Sequence, residues 1–306
     1  MLQYLVKRLL GIVPVMLVIS LLVFGFVHML PGDAARLVAG PDATAEDVAL
    51  VRADLGLDRP LPEQYLSFLG HVVQGDFGKS LKTRRPVAEE IGERLMPTVW
   101  LTVVSMAWAV TVGLLIGVLS AVKRGRWQDY GGMIIAVSGI SFPSFWLGLL
   151  LIGVFSVDLG WLPTGGYGGW QNFVLPSLTL GLGVAAVMAR FTRSAFIEIF
   201  REDYVRTARA KGLSPSRVLI RHVVRNALTP VLTVLGLQMG TMLGGTVLVE
   251  YVFNWPGLST PLLRAVEGRD YPMVVGIVLT VSGLFLLINL VMDLLYAVLD
   301  PRVRSA

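Results

Sequence analysis

The chain has 306 residues, 54% hydrophobic and only 15% charged, against roughly 45–50% and 25% in soluble domains, and its mean hydropathy is +0.69. A wholly soluble enzyme is excluded, and an integral membrane protein is expected. With no Cys and three His (His28, His71 and His222), disulfide frameworks, zinc clusters, haem ligation and thiol nucleophiles lack their ligands or reactive groups; the net charge of +5 fits either nucleic acid or basic loops on one membrane face, and position must decide.

A hydrocarbon core of about 30 Å takes about 20 apolar helical residues. Six stretches have that length: Leu9–Leu30, Thr98–Val122, Gly131–Val157, Phe173–Ala189, Ala227–Val249 and Met273–Val298. Only the last holds a formal charge, Asp293. A central Arg, Lys or Asp costs roughly 2.5–3.5 kcal/mol on insertion, so five uncharged stretches are there to sit in lipid. The expected fold is therefore all-α, with six transmembrane helices. Its layout is an N-terminal segment and first span (1–30), an extracytoplasmic helical segment (31–97) and a five-span core (98–306) with a long loop at 190–226. A cleaved leader is the alternative for the first span; a retained span is expected, because the apolar run exceeds the usual core of about 7–15 residues and no small-x-small site closes it.

Charge sets the orientation. Sixteen Lys and Arg lie at the amino end (Lys7, Arg8), in the second connection (Lys123, Arg124, Arg126), between Arg190 and Arg225, and in the tail (Arg302, Arg304). The short connections on the other face hold only Arg264 and Arg269. By the positive-inside rule both termini are cytoplasmic, so the basic residues need no nucleic acid to explain them.

Residues 31–97 carry helical punctuation. Thr44 to Asp47 resembles a capping box with Asp in place of Glu, opening a helix through Leu55 that Gly56 closes. Pro62 suits a first helical turn leading into Tyr65, Leu66, Phe68, Leu69 and Val72, and Pro86 suits another helix through Glu93. A helical external cap follows, serving as a lid on the spans or as a receiver for a solute-delivering partner. Gly75-Asp76-Phe77-Gly78-Lys79-Ser80 ends like a nucleotide-binding loop, but Val73 stands where that loop needs its first Gly. Any ATP is handled by another chain.

Within the core, Gly113 and Gly117 in span two and Gly236, Gly240 and Gly244 in span five recur every fourth residue, a small-residue stripe suited to close helix approach. Pro143 kinks span three. In the 190–226 loop, Asp203 can cap a short helix from Tyr204 to Lys211 with Gly212 just past its end; Ser214 then caps a second helix begun by Pro215. Tyr204, Thr207, Ala208 and Lys211 fall at spacings of three and four, forming a face suited to a groove on a partner. On pattern alone a solvated basic loop near anionic headgroups fits as well. Glu250 and Tyr251 at the outer end of span five are candidates for the mouth of a path. Asn289 and Asp293, one turn apart in span six, are candidates for its lining or for a structural pair.

The run from Glu202 through Asp203, Tyr204, Val205, Arg206, Thr207, Ala208, Arg209, Ala210 and Lys211 to Gly212, followed by His222, Arg225-Asn226-Ala227 and Pro230, resembles the coupling loop of peptide-type ABC importer permeases. In the wider importer family this loop carries Glu-Ala-Ala, three residues and Gly; here Arg206, Thr207, Ala208 and Gly212 hold those places, a departure the peptide subgroup shares. The resemblance covers nearly the whole chain. It includes Phe26 through Leu30-Pro31-Gly32-Asp33, Gly75-Asp76-Phe77-Gly78, Val252-Phe253-Asn254-Trp255-Pro256-Gly257-Leu258 and Arg269-Asp270-Tyr271-Pro272. The connection Gly160-Trp161-Leu162-Pro163-Thr164 and the run Leu175-Pro176-Ser177-Leu178-Thr179-Leu180-Gly181 look most like the glutathione-importing branch, with dipeptide permeases close behind.

The resemblance implies a non-catalytic transport subunit in a bacterial inner membrane, moving dipeptides, oligopeptides, glutathione or nickel. It implies a homologous second permease, two ATPase subunits that use ATP and Mg2+, and an extracytoplasmic solute-binding protein. It also implies that Asp203, Tyr204, Arg206, Thr207, Ala208, Lys211 and Gly212 meet the ATPases, with no metal or cofactor in this chain. An intramembrane enzyme would need His-Glu-x-x-His, Gly-x-Ser-x-Gly or paired Asp on facing spans, and none occurs. A self-sufficient carrier would show repeats or several buried charges, and no convincing repeat is visible.

Overall fold

The computed structural model describes residues 2–29, 34–40, 42–54 and 56–299. Leu30–Asp33, Leu55 and the basic tail residues Arg302 and Arg304 lie outside the described residues. Among those described, every regular element is a helix, and the sole β-type pairing is the bridge between Lys79 and Pro86. The helices are α1 (Leu2–Met29), α2 (Ala34–Ala39), α3 (Ala45–Asp54), α4 (Leu61–Val73), α5 (Val87–Val122), α6 (Trp127–Ser141), α7 (Ser144–Leu151), α8 (Trp170–Ile199), α9 (Asp203–Ala210), α10 (Pro215–Val218), α11 (Arg225–Val252), α12 (Ser259–Glu267) and α13 (Tyr271–Leu299). A π-helical stretch, Ile152–Asp158, extends α7, and another, Leu219–Val224, joins α10 to α11.

Among the described residues, five helices are long and apolar enough to cross a membrane: Leu5–Met29, Val87–Val122, Trp170–Ile199, Pro215–Val252 and Tyr271–Leu294. The broken pair Trp127–Ser141 and Ser144–Asp158 makes a sixth if it counts as one span. The all-helical, multi-span expectation holds, with corrections at the prolines. Span three is not one kinked helix: it bends by 105° at Phe142-Pro143. The ring of Pro143 forces the preceding residue out of helical space, and Phe142 is extended, at φ −101° and ψ 134°. Pro97, by contrast, ends nothing. α5 runs through it, so the short helix expected at 86–93 and span two are one element of 36 residues. Within membrane bundles a proline is tolerated where neighbouring groups satisfy the freed backbone.

The chain divides into two packing units, one built on Met96–Ser259 with the chain from Leu287, the other on Val6–Leu95 and Thr260–Leu286. In the first, α8 is the central helix. Leu175, Leu180, Val184, Ala185 and Met188 are buried along it, with Leu101, Met106 and Ala109 of α5 and Val231, Met242 and Val249 of α11 in the same cluster. Lipid is as apolar as these side chains, so close fit rather than water exclusion must hold the helices together. The α5/α8 contact depends on glycine. A Cβ on Gly113 would lie 2.7 Å from both the Ala185 carbonyl oxygen and Met188 Cβ, and one on Gly117 would lie 2.6 Å from the Ala189 carbonyl oxygen.

The second unit holds helices α2 to α4 together with α1 from Val6. Tyr65 of α4 hydrogen-bonds through its hydroxyl with Ser20 Oγ at 2.9 Å, and its ring meets Phe24 edge-on at 5.4 Å. The α3 capping box forms as expected. Asp47 N–H donates to Thr44 Oγ1 at 3.2 Å, and Thr44 N–H donates to Asp47 Oδ2 at 2.9 Å. The Thr44 hydroxyl, then its amide, hold the Asp47 carboxyl below the usual carboxylate range. That contribution is present above the unfolded pKa and is lost as pH falls through the folded one.

The nucleotide-loop decoy has a structural use in the same unit. Ser80 Oγ donates to Asp270, whose other oxygen accepts from Leu81 N–H at 3.1 Å and from Met273 N–H at 3.4 Å. Asp270 is thus both the N-cap of α13 and the clamp on the loop after Gly78. The run at 269–272 is thus tied by one carboxylate to Ser80 and Leu81, just after the run at 75–78.

Candidate functional site

The segment after α8 builds a small exposed helix on an apolar footing. α8 continues ten residues past the expected end of span four, so Arg190 to Ile199 are helical rather than loop. The chain then turns through Phe200–Glu202 into α9. Glu202, not Asp203, is the N-cap residue, and Asp203 is the first helical residue. Its carboxylate lies 3.7 Å from Arg206 on the exposed surface, a pairing worth little in water.

Two side chains seat α9. Val205 and Ala208 are buried in a cluster with Ala121, Phe196, Val218, Val223 and Ala227. Ala208 therefore does not belong to an outward face with Tyr204, Thr207 and Lys211, as its spacing suggested: it lies three residues from Val205 and turns inward with it. Tyr204, Arg206, Thr207 and Lys211 are exposed. The Tyr204 hydroxyl accepts from Asn226 Nδ2 at 3.1 Å, and Arg209 lies 5.5 Å over the Phe200 ring.

The end of α9 is closed by a Schellman motif. Gly212 N–H donates to the Arg209 carbonyl at 2.9 Å, and Leu213 N–H to the Ala208 carbonyl at 3.4 Å. Gly212 sits at φ +77°, a conformation that penalises any Cβ. From Pro215 the chain is helical through the π stretch to Val252, so α9 is followed by one helical run of 38 residues. Beside it lies a groove of about 710 Å3 walled by Val122, Ile197 and Leu219 and edged by Arg124, Arg201 and Arg209.

One ion pair at this end was not legible in the sequence. Arg193 of α8 grips Asp129 of α6 through two bonds, Nε to Oδ1 at 2.5 Å and Nη2 to Oδ2 at 2.9 Å, and Gly125 N–H donates to the same carboxylate at 3.0 Å. Asp129 is buried. Removing one partner of such a pair leaves an uncompensated charge. Arg193→Met is expected to cost roughly 3–5 kcal/mol, read as a lowered thermal midpoint in detergent, and adding Asp129→Asn is expected to restore part of it.

The other candidates fall elsewhere. Glu250 does not open onto a path mouth. It is fully buried, accepting from Thr98 Oγ1 at 2.6 Å and from both Ser259 N–H, at 2.9 Å, and Ser259 Oγ. Tyr251 is 64% exposed beside it. Asn289 and Asp293 are half-buried on α13 and each is already engaged. Gly236 and Gly244 have nothing within 4 Å of an added Cβ. Among the described residues, then, those two positions of the span-five stripe meet no neighbour, unlike Gly113 and Gly117. Among the described residues no group of three His, Asp or Glu could hold a metal ion, and the segment around α9 offers a rigid shape rather than a reacting group.

The described residues thus form several membrane-length helices with a short exposed helix, closed at its C-terminal end, ahead of a long span. Residues 113–305 match the family described as "Binding-protein-dependent transport system inner membrane component", and residues 1–102 match its N-terminal companion. The chain belongs to this family. It is 58% identical over 304 residues to the glutathione transport system permease protein GsiC of Escherichia coli (strain K12) and to that of Salmonella typhi, covering 99% of both chains in each comparison. Its fold is similar to inward-facing structures of the MetNI methionine ABC transporter, with TM-scores of 0.57 and 0.58 at 20% and 22% identity, over 69% of this chain and 96% of the other.

Proposed function

We propose that the chain is one permease subunit of an ATP-driven importer for small peptides, with glutathione the first cargo to test. The observation that carries this is full-length identity of 58% to glutathione permease proteins, joined to an exposed helix at 203–210 closed at its end by Gly212. The protein sits in the bacterial inner membrane with both termini cytoplasmic, and it forms the translocation path with a homologous second permease. An extracytoplasmic binding protein delivers cargo. ATP and Mg2+ are used by two partner ATPases, which grip α9 through Tyr204, Arg206, Thr207 and Lys211. This chain contributes no bond-making chemistry; α9 passes the ATPases' closure to the spans.

Gly212 tests the coupling. A β-branched residue at φ +77° is strained by roughly 1–3 kcal/mol and opens the Schellman closure. Gly212→Val is expected to leave the complex assembled and hydrolysing ATP while uptake of labelled glutathione in proteoliposomes falls at least about tenfold, the equivalent of roughly 1.4 kcal/mol. Undiminished uptake would count against α9 as the coupling element. Equal uptake of dipeptides and glutathione would widen the cargo to the peptide class.

A further inference from the structure

Gln238 stands at the middle of α11 (Arg225–Val252), a span without formal charge between Arg225 and Glu250. It is half-buried; its backbone carbonyl accepts from Thr241 Oγ1 at 2.9 Å, and its side-chain amide faces open space among the described residues. Polar side chains inside membranes face a cavity, a path or a partner.

Gln238 faces a cavity of about 330 Å3, which it lines with Thr241, Ser144, Phe142, Ile140 and Gly183. That volume lies at the lower end of small-ligand pockets, roughly 300–1,000 Å3. The cavity adjoins the 105° break between α6 and α7. The last carbonyls of α6 have no helical partner there, and irregular backbone at membrane depth is tolerated where it is enclosed by protein or lines a wet cavity. No Asp, Glu, Lys or Arg contributes to the lining.

We propose that Gln238, with Ser144 and the freed backbone at 139–142, forms an uncharged hydrogen-bonding station for the peptide backbone of the passing cargo. This rests on the importer reading above. An amide both donates and accepts, matching a peptide bond whatever side chains flank it. With no charge to pair, the station holds cargo weakly enough to release it, as conduction requires.

The test uses the complete importer in proteoliposomes. Gln238→Leu is near in size and removes the amide. It is expected to lower uptake of glutathione or a dipeptide roughly five- to tenfold, the loss of about one hydrogen bond, while ATP hydrolysis and assembly stay at wild-type levels. This chain has no native Cys, so Gln238→Cys gives a single site in it. That site is expected to react with a water-soluble thiol reagent and to be protected by peptide.

Wild-type uptake by Gln238→Leu, labelling only by a lipid-soluble reagent, or crosslinking of Gln238→Cys to the second permease without peptide protection would each overturn the station. If the Leu variant fails to assemble, protection of the Cys variant decides. A wild-type complex that moves no peptide sinks the importer reading and this inference with it. Full uptake by Gln238→Leu beside an uncoupled Gly212→Val sinks this inference alone.

Discussion

Glu250→Ala is expected to destabilise the detergent-solubilised chain by roughly 3–5 kcal/mol. The carboxyl group ties three segments. Thr98 Oγ1 donates to it while accepting from Leu258 N–H at 3.0 Å, and Ser259 donates to its other oxygen twice. The loop 253–259 is folded back by these bonds, and Trp255 anchors it by donating from Nε1 to the Pro97 carbonyl at 3.0 Å. Ala would leave Thr98 and Ser259 without their acceptor inside a closed site and open a cavity besides. Glu250→Gln keeps the shape and one acceptor oxygen, which can face the two Ser259 donors, so its cost is expected to be about 1 kcal/mol. The check is the thermal midpoint of each variant. Equal midpoints for Ala and wild type would mean that the knot is not closed in solution.

Gly117→Leu is the second. Any Cβ there overlaps the α8 backbone and the Thr192 side chain, and backbone cannot yield as a flexible side chain does. Overpacking costs typically about 1–3 kcal/mol, and a whole isobutyl group at 2.6 Å from a carbonyl oxygen belongs at the upper end. Gly244→Leu is the control. With open space around it, it is expected to change the isolated chain by no more than about 0.5 kcal/mol. Loss of assembly with a second permease on Gly244→Leu, with the isolated chain unharmed, would assign that face to the partner. Identical midpoints for Gly117→Leu and Gly244→Leu would show that the α5/α8 approach is looser than drawn.

What could be read from sequence was what neighbours in the chain decide. The Thr44–Asp47 box and the Gly212 closure form between residues a few positions apart, so their patterns specify them. Proline was half legible. Pro143 and Pro97 look alike in sequence, yet one ends a helix and the other sits inside one; what surrounds each decides, and that is not written locally. Pairings across the chain were hidden. Asp129 and Arg193 are separated by 64 positions and Thr98 and Glu250 by 152, and nothing beside either residue names the other. Ala208 was misassigned because spacings of three and four fit two overlapping faces of a short helix, and only Val205 beside it indicates which one turns inward. Gln238 was overlooked because a single amide hardly alters the apolarity of a span. A scan for lone hydrogen-bonding side chains at mid-span would have found it.

The footing of α9 has a consequence for how such a subunit diverges. Of its eight residues, Val205 and Ala208 alone are buried, so anchorage falls mainly to these two, with Tyr204 tied to Asn226 and Arg209 over Phe200 as lighter stays. Asp203, Arg206 and Thr207 are left for display, and they can drift, or be exchanged for those of another lineage, without disturbing the root of the long span. On the proposed coupling, compatibility with a given motor is thereby separable from the integrity of the conduit. A graft of those three positions would then be a small change able to re-address this chain to a different engine.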